Sequence, residues 1–277
     1  SRSRVQHSKK LLDRKESANK RVYGVVTEDL SHGLENVPVR VVNNVDLETI
    51  SDDFTYIKRN AIHSTLQAKR KTVRKCNCKG NCMNNSKCPC RNAYMDHDKK
   101  FPGKDKVLHN VNEVDTIYEC GEDCACSKSC CNRFSRGLGI KVEVFRTRWK
   151  GWAVRALEDI PQGTFVMEYV GEVLPHQCCS DRDFCYLFNL SDEVVIDPKF
   201  KGNVARFMNH SCTANLHGVR SVSNSGVQGD TRITFFANQH ILKYQELTIN
   251  YGYTPSRPPG ICIPCRCYSP ACRQILV

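Results

Sequence analysis

The stretch CNCKGNCMNNSKCPC, residues 76–90, contains five cysteines and almost no large apolar side chains. A second stretch, CGEDCACSKSCC at residues 120–131, supplies five more cysteines. Val, Ile and Leu are too scarce in this region for burial of apolar surface to offset the entropy of ordering the backbone. Because dense, regularly spaced thiols are typical of zinc sites, we expect metal ions to hold the segment together.

Nine of these ten cysteines follow the patterns C-x-C-x3-C-x5-C-x-C and C-x3-C-x-C-x3-C. Three tetrahedral zinc ions need twelve metal–sulfur bonds, which six thiolates binding once and three thiolates binding twice supply. The spacing therefore predicts a closed, structural three-zinc cluster. The alternative, independent C-x2-C ribbons, lacks the usual C-x2-C pairs, and Cys131 remains as a free thiol. The nine predicted ligands are Cys76, Cys78, Cys82, Cys88, Cys90, Cys120, Cys124, Cys126 and Cys130.

A fourth zinc site is expected near the C-terminus, where CRCYSPAC contains Cys265, Cys267 and Cys272. Three thiolates leave a structural site one ligand short. We expect Cys212 to complete it, because the tail would then close a zinc site and a pocket together; Cys262 is the alternative. Thirteen thiolates and four zinc ions would change the formal charge from +12 to +7.

The charge balance favours a polyanionic environment such as chromatin. The 277 residues include 41 Lys and Arg against 29 Asp and Glu. No uncharged apolar run has the length of a membrane span, and the opening residues lack the apolar core of a secretory signal. We therefore expect an intracellular protein with no membrane contact. Residues 1–22 are predicted to form a basic helical arm that makes weak nucleic-acid contacts.

The chain from residue 137 onward has short apolar runs bounded by Gly and Pro. This pattern predicts a mainly β fold with few short helices. The runs predicted to contain strands are IKVEVF, GWAVRAL, TFVMEYVGEVL, CYLFNL, EVVIDP, ITFFA and ELTIN. Two further β-rich pieces are predicted at residues 22–27 and 37–42.

Four motifs follow one another in this part of the chain: GWAVRAL, EYVGE, RFMNHSCTANL and ELTINYG. With the nine-cysteine segment and CRCYSPAC on either side, they resemble the pre-SET, SET and post-SET parts of a protein lysine methyltransferase. The class most resembled is the suppressor-of-variegation class, which methylates lysine 9 of histone H3. The stretch LENVPVRVVNNVD is similar to its euchromatic branch.

The resemblance covers residues 23–277. It implies a SET-domain fold of small sheets with a C-terminal pseudoknot, flanked by a zinc-cluster pre-SET module and a zinc-binding post-SET tail. The expected segments are a basic arm at 1–22, an N-terminal collar at 23–75, the pre-SET module at 76–134, the SET catalytic domain at 135–253 and the post-SET tail at 254–277.

The resemblance also implies S-adenosylmethionine as cofactor, the histone H3 tail as partner and a nuclear, chromatin-associated location. A sulfonium cofactor with an adenine ring needs close backbone approach and an aromatic wall, which Gly151 and Trp152 would offer unless they form only a turn and a core residue. The implied catalytic residues are Tyr251, Tyr169 and Tyr186. The implied cofactor-binding residues are Lys150, Gly151, Trp152, Tyr186, Arg206, Asn209 and His210.

Two positions depart from the family pattern. Ile249 stands where much of the family has Phe or Tyr, and because its side chain cannot hold a water beside the amine, we expect addition of two or three methyl groups. Asn189 stands where the related branch has an acid that contacts the histone Arg next to the target. Asp181, Asp183, Asp192 and Glu193 could supply the negative surface instead, and the alternative is that this charge run is only a solvated loop.

Two other functional classes are considered. A catalytically silent SET-like chromatin adaptor would use the zinc module and basic arm only for binding, and the intact Asn209, His210 and Tyr251 argue against it. A zinc-dependent nucleic-acid reader would need aromatic or Arg residues projecting from a finger helix at reading positions, and the sequence predicts no such helix between the cysteines. A methyltransferase for another histone or non-histone lysine is the remaining alternative.

Overall fold

The structure is a computed structural model that describes residues 24–67, 75–95, 107–133, 136–179, 186–223, 231–252 and 263–276. In these residues the chain forms short strands and two short helices, Ser64–Gln67 and Pro89–Met95, as the mainly β prediction expects. The strands, β1 to β16 in chain order, are Gly24–Thr27, Arg40–Asn43, Thr55–Tyr56, Ala61–Ile62, Thr116–Glu119, Val142–Arg146, Trp152–Ala156, Phe165–Tyr169, Glu172–Pro175, Phe188–Asn189, Val194–Asp197, Lys201–Gly202, Asn209–His210, Leu216–Ser223, Thr231–Ala237 and Thr248–Ile249.

One four-stranded sheet joins the predicted collar to the predicted SET segment. Its order is β1-β2-β6-β7, with β2 parallel to β6. Val41 pairs with Val144, and both are fully buried, as suits β-branched side chains in the middle of a sheet. The β6–β7 hairpin turns at residues 147–151, where Gly151 has a φ of +72° that other residues rarely adopt.

Three further segments that precede residue 135 add strands to sheets formed by later residues. Strand β3 lies parallel to β12, β4 lies parallel to β9, and β5 lies parallel to β14. Strand β5 comes from the cysteine-rich region, so that region is hydrogen-bonded into a sheet and is not connected by loops alone. The collar and the cysteine-rich module therefore support the sheets that carry the site.

The sheet with order β5-β14-β15-β8 contains both apolar core and buried charge. Phe235 and Met167 are almost fully buried. Next to them, Arg232 is ion-paired with Glu119 and, at 3.2 Å, with Glu168. Burial raises the pKa of Glu168 to about 7, although Arg232 opposes that change. This buried charge cluster joins the cysteine-rich module to strand β8.

Strands β13 and β16 are parallel neighbours far apart in sequence. Asn209 pairs with Thr248 and His210 with Ile249. The Ser211 N–H extends the ladder by donating to the Ile249 carbonyl at 3.0 Å. The segments RFMNHSC and ELTINYG therefore lie side by side.

Each apolar run predicted to form strands contains at least one: β6 to β11, β15 and β16. The eight-residue strand β14 was not predicted. The predicted basic arm at residues 1–22 lies outside the described residues. No helix in the described part of the chain has both the length and the apolar character needed to cross a membrane.

Candidate functional site

The nine predicted cluster cysteines are all buried, together with Cys131. Eight of the nine, all except Cys130, form overlapping sets of four in which every pair of sulfur atoms lies within 4.8 Å. Cys76 belongs to three of these sets, and Cys82 and Cys120 each belong to two. The sets are Cys76, Cys78, Cys82 and Cys88; Cys76, Cys82, Cys120 and Cys126; and Cys76, Cys90, Cys120 and Cys124.

The sulfur spacing fits tetrahedral zinc. A Zn–S bond of about 2.3 Å in a tetrahedron separates two sulfur atoms by about 3.8 Å. The Sγ atom of Cys82 lies 3.6 Å from that of Cys76 and 3.6 Å from that of Cys120. The Sγ atoms of Cys90 and Cys124 are also 3.6 Å apart. These thiols are therefore placed to share ions rather than to form disulfides.

Polar hydrogen atoms around the cluster can offset thiolate charge. Asn85 Nδ2 donates to Cys78 at 3.1 Å, and Arg133 Nη2 donates to Cys126 at 3.5 Å. Cys130 Sγ accepts from the backbone N–H of Cys82 at 3.4 Å, which places it beside a shared thiol. Neither Cys130 nor Cys131 belongs to any of the sets among the described residues, and the Cys131 thiol donates to Asn81 Oδ1 at 2.9 Å.

The tail cysteines meet Cys212 as predicted from the sequence. Cys212, Cys265, Cys267 and Cys272 form a fourth set with all sulfur atoms within 4.8 Å of one another. Cys212 and Cys265 are 3.9 Å apart, close to the tetrahedral spacing. The alternative ligand, Cys262, lies outside the described residues.

A cavity of about 270 Å³ lies between the 147–151 turn, strand β13 and the tail. Arg266 Nη1 donates to the Trp149 carbonyl at 3.0 Å, so the tail and the turn touch directly. The walls combine aromatic and aliphatic surface with a few polar anchors, the composition typical of a cofactor site. The lining residues are Trp149, Lys150, Asn209, His210, Tyr251, Ile263, Pro264, Arg266 and Leu276.

Glu246 holds two polar residues of this cavity in place. Lys150 Nζ donates to both Glu246 carboxylate oxygens, at 2.7 and 2.5 Å. Asn209 Nδ2 donates to the same carboxylate at 3.2 Å and to the Trp152 carbonyl at 3.0 Å. Sequence reasoning missed Glu246, although it opens the motif ELTINYG. Gly151 shapes the turn beside them with its positive φ.

His210 links the cavity to the tail site. Its Nδ1 accepts the backbone N–H of Tyr251 at 3.1 Å, and its Nε2 lies 3.4 Å from Cys212 Sγ. Burial lowers the pKa of His210, and the charge of Arg273 lowers it further. The ring is therefore neutral at physiological pH, with Nδ1 as the acceptor.

A second, narrower cavity of about 50 Å³ meets the first at Tyr251, which lines both. The Tyr251 hydroxyl donates to the Met208 carbonyl at 3.0 Å, and the Tyr169 hydroxyl donates to the Tyr186 carbonyl at 2.7 Å. Both rings are thereby fixed in the wall. The lining residues are Tyr169, Tyr186, Leu187, Phe188, Arg206, Met208, Ile249 and Tyr251.

Four residues predicted at the cofactor site do not line the wider cavity: Gly151, Trp152, Tyr186 and Arg206. Trp152 is partly buried and packs against the apolar core, which is the alternative role given for it above. Arg206, expected at the cofactor site, lines the narrow cavity instead. Its guanidinium stacks between aromatic rings, and burial lowers its pKa. Tyr186, expected at both sites, also lines the narrow cavity. Ile249 is buried and lines that cavity too, as its predicted influence on product multiplicity requires.

The expected acidic surface is only partly described. Asn189, Asp192 and Glu193 are exposed around the turn between β10 and β11. Asp181 and Asp183 lie outside the described residues.

Two family models match the chain. The pre-SET motif matches residues 31–133, and the SET domain matches residues 151–252. The first region contains the nine-cysteine cluster, and the second contains the residues of both cavities apart from the tail and the start of the 147–151 turn.

Among curated proteins, the human protein "Histone-lysine N-methyltransferase EHMT1" is 35% identical over 98% of this chain and 22% of its own length. "Histone-lysine N-methyltransferase, H3 lysine-9 specific" of Schizosaccharomyces pombe is 34% identical over 79% of this chain and 48% of its own length. The chain therefore spans about a fifth to a half of these two relatives.

Among solved structures, KRYPTONITE in complex with mCHH DNA, an H3(1-15) peptide and SAH matches with a TM-score of 0.80 and 37% identity. The match covers 92% of this chain and 54% of that one.

Proposed function

The chain belongs to the family of proteins that carry a pre-SET motif followed by a SET domain, and from that premise we propose that it is an S-adenosylmethionine-dependent histone-lysine N-methyltransferase. Its proposed substrate is lysine 9 in the N-terminal tail of histone H3, to which it adds two or three methyl groups. The proposal includes a nuclear, chromatin-associated location and a role in transcriptional silencing and heterochromatin. We also propose the segment boundaries predicted from the sequence: pre-SET at 76–134, SET at 135–253 and post-SET at 254–277.

The observation that carries the proposal is the meeting of two unlike cavities at Tyr251. The wider cavity has the size and mixed lining of a cofactor site, and the narrow one is walled by aromatic side chains that suit an aliphatic lysine stem. Methyl transfer needs its two reactants in separate sites that share one reaction point. The two histone-lysine N-methyltransferase relatives support separate sites for cofactor and substrate. The KRYPTONITE structure, which holds both SAH and an H3 peptide, supports the same arrangement.

The wider cavity fits S-adenosylmethionine. The side chains of Lys150 and Asn209, oriented by Glu246, would bind its polar groups, and Trp149 with the tail residues would cover its apolar surface. When bound, this cofactor supplies a methyl group on a sulfonium, which an amine attacks in line. The tail excludes water by closing the cavity over the 147–151 turn.

The cysteine sets fit four structural zinc ions. Cys76, Cys82 and Cys120 recur in the three overlapping sets, so we assign them as the three bridging ligands. Cys130, which lies beside Cys82, completes the ion held by Cys82, Cys120 and Cys126. Six single and three bridging thiolates then satisfy three ions, and the tail set holds the fourth.

Tyr251 orients the substrate amine. Because its hydroxyl proton is donated to the Met208 carbonyl, the phenolic oxygen offers lone pairs to the cavity. A neutral amine can donate one N–H to that oxygen, which turns its own lone pair toward the wider cavity. Tyr169, fixed by its bond to the Tyr186 carbonyl, limits sideways movement of the lysine stem.

Ile249 supports the proposed addition of more than one methyl group. The side chain lies in the wall of the narrow cavity and has neither donor nor acceptor. An amine that already carries one methyl group can therefore rotate there without displacing a bound water.

Two measurements on the purified chain test the proposal. Calorimetric titration with S-adenosylmethionine should show binding that the His210→Ala variant weakens, whereas a silent adaptor would show none. Incubation with cofactor and a panel of histone peptides should methylate the H3 tail peptide and leave a peptide with Arg in place of lysine 9 unmodified. Equal methylation of those two peptides would rule out the proposed target lysine.

A further inference from the structure

Arg206 is a half-buried cation fixed by several contacts. Its guanidinium carbon lies 4.6 Å from the ring centroid of Phe54 and 4.7 Å from those of Tyr186 and Phe207. The guanidinium donates to the backbone carbonyls of Pro198 and Lys199, at 3.0 and 3.2 Å. Stacking and bonds from two directions leave the charge little freedom to move.

This charge faces the narrow cavity. The groups that act on it are the phenol oxygens of Tyr186 and Tyr169 and the carboxylate of Asp197, while burial opposes its charged form. Asp197 is itself bonded to the backbone N–H of Lys199 at 2.9 Å, and the bonds of the guanidinium described above go to carbonyls. Because an Arg side chain keeps its proton in proteins, the cavity wall carries a permanent positive charge.

A positively charged residue is unusual in the wall of a cavity that is proposed to bind a lysine side chain. In water the lysine ammonium carries its own positive charge, which a second cation in the same cavity wall disfavours. The amine can attack a methyl group only after it loses its proton, because the ammonium has no free lone pair. The same repulsion therefore opposes the unreactive form and leaves the reactive form unaffected.

We propose that Arg206 is a catalytic residue that holds the substrate lysine in the narrow cavity as the neutral amine. The ammonium gives its proton to solvent water, and the N–H electron pair becomes the lone pair used for attack. This inference rests on the proposed function, since it requires a lysine in the cavity. It assigns Arg206 to the substrate side of the site.

The first test is the pH dependence of kcat, which reports ionisations in the complex. Arg206→Met removes the charge at similar length, so the acidic limb should move about one to two pH units toward alkaline pH. Arg206→Lys keeps a cation and should keep the limb in place even if its rate falls. Lys201→Met removes a charge that is 50% exposed and outside the cavity lining, and should also leave the limb unmoved.

The second test needs no turnover. Peptides with lysine or the uncharged norleucine at the target position are bound to the protein at pH 7, and their dissociation constants are compared. The full chain should favour norleucine, and Arg206→Met should reduce that preference about tenfold or more. If Arg206 had only a structural role, Arg206→Met would weaken the binding of both peptides equally.

The outcomes separate this inference from the proposed function. Equal affinity of the unsubstituted chain for the two peptides would overturn the role of Arg206, whether or not the Met variant folds. An unmoved acidic limb in a folded Met variant would do the same. Failure of the unsubstituted chain to methylate any peptide would instead overturn the proposed function, whereas a norleucine preference lost in the Met variant would still support a charged cavity wall.

Discussion

The two kinds of cysteine site should respond differently to loss of one ligand. Cys124→Ser removes a thiolate from the set that also contains Cys76, Cys90 and Cys120. The buried side chains of this cluster are the cysteines themselves, and the partly buried Met83 packs against them. Cys124→Ser should therefore unfold the module, because little apolar core remains to hold it.

The magnitude follows from the metal. A structural zinc ion contributes about 10 to 16 kcal/mol to the folding of a small domain, and a whole domain is stable by only about 5 to 15 kcal/mol. Losing one thiolate in four, even at a third of one ion's contribution, costs about 3 to 5 kcal/mol. That loss approaches the lower end of the stability of a whole domain, about 5 kcal/mol.

Cys267→Ser should have a different effect. None of residues 263–276 is buried, so releasing the tail opens no core. It does remove Ile263, Pro264, Arg266 and Leu276 from the wall of the wider cavity. We expect nearly unchanged unfolding of the rest of the chain, a fall in cofactor affinity of about tenfold or more, equivalent to about 1.4 kcal/mol, and loss of turnover.

The assay combines thermal unfolding followed by circular dichroism, zinc content by elemental analysis and cofactor titration by calorimetry. Cys131→Ser is the matched control, because this buried thiol lies outside the nine predicted ligands and donates to Asn81 Oδ1. It should retain four zinc ions. Equal loss of folding in Cys124→Ser and Cys267→Ser, or a control that behaves like Cys124→Ser, would refute the reasoning.

Three further substitutions test other parts of the structure. Arg232→Met should lower the free energy of unfolding by about 3 to 5 kcal/mol in denaturant unfolding, because it leaves two buried carboxylates without their cation. Arg40→Met, at a side chain that is 46% exposed, should lower it by about 1 kcal/mol or less. Similar losses in the two variants would contradict this account. Tyr251→Phe should lower kcat about 10² to 10³-fold and leave the cofactor dissociation constant nearly unchanged, and turnover at the parent rate would exclude its orienting role. Ile249→Tyr should shift products toward monomethyl lysine in mass spectra, and an unaltered distribution would show that this side chain does not control product multiplicity.

The strands that the sequence predicts are those whose apolar runs are short and bounded by Gly or Pro. Strand β14 was not predicted because its sequence, LHGVRSVS, lacks the regular alternation of apolar and polar residues that indicates a strand. Its buried and exposed positions are correspondingly mixed. The parallel pairs β3–β12 and β4–β9 could not be predicted, since β3, β4 and β12 have only two residues each and carry too little pattern to identify distant partners.

The candidate site also has features that the sequence predicts and features that depend on tertiary packing. Spacing and resemblance identified the cysteines, and the Cys212 assignment agrees with the fourth sulfur set. The environment of Arg206 depends on Phe54, a collar residue brought to it by tertiary packing, so the motif RFMNHSC alone gives no hint of the aromatic stack. Glu246 acts through contacts with Lys150 and Asn209 that sequence spacing does not reveal.

The central claim is that the cavities on either side of Tyr251 hold a methyl donor and a lysine for reaction with each other. Exhaustive reaction of the purified, zinc-loaded chain with S-adenosylmethionine and an N-terminal histone H3 peptide, followed by fragment mass spectrometry, tests it most directly. The account predicts two or three methyl groups, all on lysine 9. An unmodified peptide under conditions where both the cofactor and the peptide are bound would contradict it.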